Sequence, residues 1–291
     1  STNAENMSLF GYFEKTTPKL ENIARQDKNF VYKRAWAPAV NTLISLPMLY
    51  NIQYHPQDYK KLVLKDTNLL RMAKENGFKV VYVELQNASV FRKTGLDSYD
   101  ELYVYDQEKD IQYKNESDYL DFVLPKLALT GRNLIIIHQR TVHSPYERNY
   151  AGAAGVYDFT GSNNQRVNNY NNAMRFEDMV LDKIINFAKQ SMVETYFYYI
   201  SDHGEALGQN GLWGHGHLHP DDLQVPFLFT MFNSEDAIYK HKIAALDFPC
   251  AYQIMLLVAE KLGFSVNIPE TEKDICLING RDSMGRAGML K

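Results

Sequence analysis

Between Tyr198 and Pro220 the chain reads YYISDHGEALGQNGLWGHGHLHP, an apolar run ending on Asp202 and His203, then Glu205, then His215, His217 and His219. A carboxylate beside an imidazole suits zinc, which takes oxygen and nitrogen ligands and in catalytic sites keeps one position open. The same Asp-His pair can also be a buried aspartate closing a turn beside a hydrogen-bonded histidine. The neighbourhood favours the metal. Of the eight histidines, His138, His143, His203, His215, His217 and His219 all fall in or near two loops.

A metal does not by itself choose a reaction, so a nucleophile is needed where a cation could activate it. The segment NTLISLP puts Thr42 at the start of an apolar run ending in Pro47. If Thr42 opens a helix, the unpaired N–H groups and positive dipole end there favour a phosphate or sulfate beside its hydroxyl. A coordinating cation would then stabilise the alkoxide. Asn41 or Thr42 as a plain helix cap accounts for the segment equally well.

These groups need elements to carry them, and each follows a predicted strand. Strands are expected at Phe30–Ala35, Lys79–Leu85, Asn133–His138, Thr195–Ser201, Val225–Met231 and Asp274–Ile278. Several are apolar throughout, as strands covered on both faces must be. Between them, three- and four-residue apolar spacing predicts helices over Asp66–Lys74, Asp118–Leu129 and Asp247–Leu262, the last ending at Gly263. Phe176, Val180, Ile184 and Phe187 form the stripe of another, with Asn171 or Asn172 as its cap. The Gly- and Asn-rich Ala151–Asn172 reads as a long surface loop. The alternation predicts an α/β domain on a mostly parallel sheet, whose ligands sit beyond the carboxyl ends of the strands. No repeat or linker divides it, so residues 1–291 form one domain.

Composition narrows the partners. Lys and Arg total 31 against 35 for Asp and Glu, a net charge of −4 without a basic face, which excludes a nucleic-acid surface and a polybasic membrane patch. No run approaches the roughly 20 apolar residues that span a bilayer. The two cysteines, Cys250 and Cys276, are expected as unpaired core thiols, since free cysteine is often buried.

The segments MSLFGYFEKTTPKLENIA, NTLISLP, HQRTVHSPYERNY, SDHGEALGQNGLWGHG and VPFLF resemble, in order and rough spacing, the alkaline phosphatase/sulfatase superfamily. More narrowly they are similar to the periplasmic catalytic domain of bacterial phosphoethanolamine transferases, and the likeness covers essentially the whole chain. It implies a three-layer α/β/α sandwich, alkaline phosphatase-like. It implies Thr42 as the nucleophile that becomes phosphoethanolamine-modified and as a metal ligand together with Asp202 and His203. His143 and His215 are implied as phosphate-pocket histidines able to hold substrate, act as acid or base, or bind a second Zn2+. Glu205 would orient a ligand or the substrate. His138 is expected to support its strand end, and His217 and His219 have no counterpart. The family's remaining metal-binding glutamate would fall directly before Ser1, so low zinc occupancy is expected of the chain as it stands.

The implied reaction is zinc-dependent transfer of phosphoethanolamine from phosphatidylethanolamine to lipid A, a glycan or another envelope acceptor. The implied setting is the periplasmic face of the inner membrane, with a membrane-embedded part ahead of Ser1 and a monomeric catalytic domain. A phosphoglycerol transferase or metal-dependent phosphodiesterase would share the threonine and the Asp-His pair. A sulfatase proper needs a Cys or Ser in a C/S-x-P-x-R segment, and NTLISLP lacks the arginine. A non-catalytic envelope-binding module is the reading from another class. It has no use for so many polar groups in one pocket.

Overall fold

The computed structural model describes residues 1–54, 68–86, 88–93, 97–153, 159–269, 275–279 and 287–290. In chain order the elements are α1 (Pro18–Gln26), β1 (Val31–Trp36), α2 (Thr42–Tyr50), α3 (Leu69–Glu75), β2 (Lys79–Glu84), α4 (Ala88–Lys93), β3 (Glu101–Val104), α5 (Glu116–Val123) and β4 (Asn133–His138). They continue through α6 (Tyr146–Asn149), α7 (Gln165–Lys189), β5 (Thr195–Ile200), β6 (Ala206–Leu207), β7 (Trp213–Gly214), α8 (Pro220–Leu223), β8 (Gln224–Phe232), α9 (Ala237–Ala245), α10 (Ala251–Lys261), β9 (Cys276–Asn279) and β10 (Ala287–Leu290).

Strand alternation assigns the layers. Val80 and Tyr82 of β2 pack with Leu69, Leu70 and Ala73 of α3, Leu46 and Leu49 of α2, and Met255 of α10. Their neighbours Val81 and Val83 point the other way, into Leu120 and Val123 of α5 and Phe176, Val180 and Ile184 of α7. β8 repeats the split: Phe227 and Phe229 meet Tyr239 and Ile243 of α9, whereas Leu228 meets Tyr170 and Met174 of α7 and Leu20 of α1. Helices therefore cover both faces, which is why these strands carry unbroken apolar runs.

Pairing brings the strand ends together. β2 runs parallel to both β3 and β4, with Glu84 beside His138 in register. β1 and β5 each pair antiparallel with β8, so they run in the same direction as each other. The carboxyl ends of β1 and β5 thus lie at one edge, where they lead into Thr42 and into Asp202–His203. The described strands form one parallel trio, β3-β2-β4, one antiparallel trio, β1-β8-β5, and two antiparallel pairs, β6-β7 and β9-β10.

All six expected strands are present, though Asp274 and the start of the Asp66–Lys74 helix lie outside the described residues. Three expectations are corrected. Helix α7 starts at Gln165, with Asn164 as its cap, six residues ahead of Asn171. The second part of the expected Ala151–Asn172 loop is therefore helical, while residues 154–158 lie outside the described set. Asn168, Asn171 and Asn172 are helical and buried, and amides among them hold neighbouring chain: Asn168 Nδ2 donates to the Ser162 carbonyl and Asn172 Oδ1 accepts from Phe159 N–H. Tertiary bonding offsets the poor helix propensity of asparagine.

The cysteines are the third correction. Cys250 and Cys276 form a disulfide with their Cα atoms 5.3 Å apart, joining the start of α10 to β9. Spacing alone gave no sign of it, because the approach of β9 to Cys250 is set by tertiary structure.

Candidate active site

Thr42 is the first residue of α2. Asn41 caps that helix, its Oδ1 accepting from Ile44 N–H at 3.2 Å, which orients the turn as the sequence suggested. Thr42 Oγ1 lies 3.2 Å from His203 Nε2, across 161 positions of chain. The Nδ1–H of His203 donates to the Gly204 carbonyl at 2.8 Å. Since that carbonyl can only accept, the ring carries its proton on Nδ1 and turns the Nε2 lone pair toward Thr42. His203 is completely buried, and burial drives its imidazole down to about 3, so the ring is neutral.

Asp202 is 3.5 Å from the same Nε2 through Oδ2. Burial resists its ionisation, but nearby positive charge, that of His138 included, and the Thr42 hydroxyl hold the carboxyl well below the usual range. Asp202 Oδ2 is buried without a hydrogen-bond donor. An anionic oxygen, an imidazole lone pair and a hydroxyl thus share one spot. That donor set fits a zinc ion, which would relieve the unpaired Asp202 oxygen. Among the described residues no group of three or more His, Cys, Asp or Glu converges on one point, so within this chain the threonine has to complete the set.

The hairpin β6–β7 turns the chain back, pairing Ala206 with Gly214 and carrying His215 opposite Glu205. His215 Nδ1 lies 3.7 Å from Glu205 Oε2, and its ring centroid 4.4 Å from that of His203. His143, beyond β4, has its ring 5.9 Å from His215. Its Nδ1–H donates to the Ser144 carbonyl at 2.6 Å, leaving Nε2 open. Glu205 is 1% exposed, accepts from the Tyr146 hydroxyl, and has Arg166 Nη2 at 3.4 Å. Burial would raise its carboxyl, yet the nearby His215 imidazole and the Tyr146 hydroxyl lower it to about 2.

The structure therefore brings Thr42, Asp202, His203, Glu205 and His215 together, with His143 at their edge. The other histidines stand apart. His138 Nδ1–H donates to Glu84 Oε2 at 2.9 Å, supporting the end of its strand. His217 is held by Asp222, 3.1 Å away, and His219 by Asp221 at 3.2 Å.

Sequence reasoning missed the groups that hold the site in place. Asn3 Oδ1 accepts from Glu205 N–H at 2.7 Å, while Asn3 Nδ2–H donates to the Glu205 carbonyl at 2.5 Å. A Cβ on Gly204 would come within 2.4 Å of Asn3 Oδ1 and 2.2 Å of the Asp221 carbonyl, so only glycine fits there. Tyr146, Arg166 and Asp222 were likewise unmarked, because a single tyrosine, arginine or aspartate carries no pattern.

Residues 1–249 match the sequence profile of the sulfatase family. The chain belongs to the sulfatase family. Among curated relatives, phosphoethanolamine transferase EptA of Escherichia coli (strain K12) is 26% identical over 271 residues, covering 84% of this chain and 46% of the relative. The Kdo(2)-lipid A phosphoethanolamine 7''-transferase of the same organism is 24% identical over 255 residues, 79% of this chain and 43% of that protein. The chain thus spans about half the length of the curated relatives it matches.

Solved structures agree on the fold. The C-terminal periplasmic domain of EcEptC from Escherichia coli, in complex with Zn, superposes with a TM-score of 0.77 at 21% identity, covering 100% of this chain and 89% of that one. The soluble domain of lipooligosaccharide phosphoethanolamine transferase A from Neisseria meningitidis gives 0.72 at 23% identity, covering 90% and 84%. The fold of this sulfatase-family chain is the α/β fold of the alkaline phosphatase superfamily.

Proposed function

We propose that this protein transfers phosphoethanolamine from phosphatidylethanolamine to lipid A or another cell-envelope acceptor, with Thr42 as the covalent way-station. The carrying observation is the 3.2 Å approach of Thr42 Oγ1 to His203 Nε2 beside the unpaired Asp202 oxygen. The naming of the curated relatives as phosphoethanolamine transferases supports it.

Thr42, Asp202 and His203 would hold zinc, the buried Asp202 oxygen without a donor being the anionic ligand. Bound there, zinc supplies Lewis-acid stabilisation of the threonine alkoxide and of phosphoryl charge. In the first half-reaction Thr42 Oγ attacks phosphorus and the diacylglycerol oxygen leaves with the bonding pair. In the second, an acceptor oxygen attacks the same phosphorus and Thr42 Oγ leaves. His215, steadied by Glu205, gives a proton to the departing diacylglycerol and takes one from the incoming acceptor. His143 binds a phosphoryl oxygen by donating from Nε2 once that nitrogen has taken up a proton, its Nδ1–H staying on the Ser144 carbonyl. In-line placement and charge neutralisation dominate transfers of this kind.

The domain is proposed to work on the periplasmic side of the inner membrane, a reading supported by two neighbours described as periplasmic domains. Among the described residues no helix is long and apolar enough to cross a membrane. Incubation with isotopically labelled donor lipids, followed by mass spectrometry of the peptide containing Thr42, tests the proposal. A phosphoethanolamine adduct on Thr42 is expected. A phosphoglycerol adduct would mark the alternative transferase, and an unmodified threonine during turnover would remove the covalent route.

A further inference from the structure

Arg166 stands beside the site but has no part in the steps above. It is the second residue of α7, and its Nη2 meets Glu205 Oε1 at 3.4 Å. Its guanidinium lies over the Trp213 ring, 5.1 Å from the centroid. Two glycines with positive φ build this seat. A Cβ on Gly208 would come 2.7 Å from Trp213 Cζ2, and one on Gly214 would lie 3.6 Å from Arg166 Nη2. The indole therefore rests against the hairpin backbone, and the guanidinium rests on the indole.

A counter-ion role for Glu205 does not exhaust this arrangement. A closed arginine–carboxylate pair makes two bonds of roughly 2.8 Å. Here there is a single contact at 3.4 Å, to an oxygen already taking the Tyr146 hydroxyl. The side chain stays 39% exposed, and guanidinium has more N–H donors than these two partners use. Glu205 in turn lies 3.7 Å from His215, so the free edge of Arg166 is one residue removed from the proposed proton-transfer group.

We propose that Arg166, seated on Trp213, binds a phosphate group of the acceptor and so selects phosphorylated acceptors over neutral ones. The inference rests on the transferase reading above. Arg166 makes and breaks no covalent bond: the acceptor oxygen attacks phosphorus, Thr42 Oγ departs with the electron pair, and the guanidinium holds the acceptor's own phosphate.

In the test, Thr42 is loaded from labelled phosphatidylethanolamine vesicles, then chased with a phosphorylated glycolipid, the same glycolipid dephosphorylated, or buffer. Arg166→Gln is expected to lower the ratio of transfer to hydrolysis about tenfold for the phosphorylated acceptor and by less than about twofold for the other. Arg166→Lys, which keeps charge but loses the planar fork, should recover part of the loss. Equal losses on both acceptors, or none, overturn the proposal. If wild-type Thr42 never loads, the transferase reading fails by itself. The phosphate subsite is then decided by titrating inorganic phosphate into wild-type and variant protein, where weaker binding by Arg166→Gln supports it and equal binding overturns it. Should Arg166→Gln not fold, Arg166→Lys carries both measurements.

Discussion

Thr42 and His203 meet at 3.2 Å although 161 residues separate them, because β1 and β5 flank β8 in the same direction and release both at one edge. Replacing Thr42 by Ala should lower turnover by about 10³-fold or more, as expected for loss of a covalent nucleophile. The thermal midpoint should stay within about 2 °C, since a side chain at a helix start buries little. A Thr42→Ala protein that still transfers at a tenth of the wild-type rate would rule out the covalent step.

Zinc dependence can be read without turnover. With zinc at about 100 times its dissociation constant, binding should add about 2.7 kcal/mol to stability. Calorimetry should show the midpoint rise on adding zinc and fall back with a chelator. In Asp202→Asn the rise should shrink sharply, because that oxygen is the buried anion without a donor. An equal rise in both proteins would place the metal elsewhere.

Glu205 is expected to matter through His215. Glu205→Gln keeps the volume but weakens the hold on the imidazole, and such supporting groups typically account for about 10- to 100-fold in rate. Steady-state kinetics should show the loss mainly in kcat. A fall confined to KM would mean that Glu205 binds substrate and does not orient His215.

Glu116 makes stability depend on pH. It is buried on α5, accepting from Arg140 N–H and the Thr141 hydroxyl, and burial with nearby Glu177 pushes it up to about 7. Its unfolded value is the ordinary 4.5. The folded state therefore binds more protons between these values, so its contribution is complete below about pH 4.5 and declines as pH rises to about 7, by about 3 kcal/mol in all. Urea unfolding at a series of pH values should show this slope, and Glu116→Gln should flatten it. A slope unchanged in the variant would assign the effect to another group.

The disulfide closes a loop between positions 26 apart, worth about 3 kcal/mol by chain entropy. Reduction, or the double substitution Cys250→Ala with Cys276→Ala, should lower the midpoint by about 5 °C or more. No change on reduction would show the bond to be dispensable.

Much of this was legible in the sequence. Strands packed between helices announce themselves as short apolar runs, so β2, β4, β5 and β8 were found within a residue or two. The short β3, Glu101–Val104, was missed because its mixed residues carry no period. Thr42, Asp202, His203 and His215 stood out because their types are rare and their spacing tight. Asn3 did not, since its work is done by an amide meeting backbone 202 residues away. The histidine count overreached at His217 and His219, whose rings turn to Asp222 and Asp221.

The strip leading to Thr42 is gripped from three sides: Trp36 N–H bonds to the Pro249 carbonyl, Ala37 N–H to that of Leu223, and the Pro38 carbonyl receives Asn279 N–H. Two of those grips come from either flank of the Cys250–Cys276 bond. One of the three grips on the strip before Thr42, that of Asn279, comes from chain beyond the family-matched span. A shortened protein ending at residue 249 would keep every motif residue and the Pro249 and Leu223 bonds, but would lose the Asn279 bond on the Pro38 carbonyl together with the disulfide.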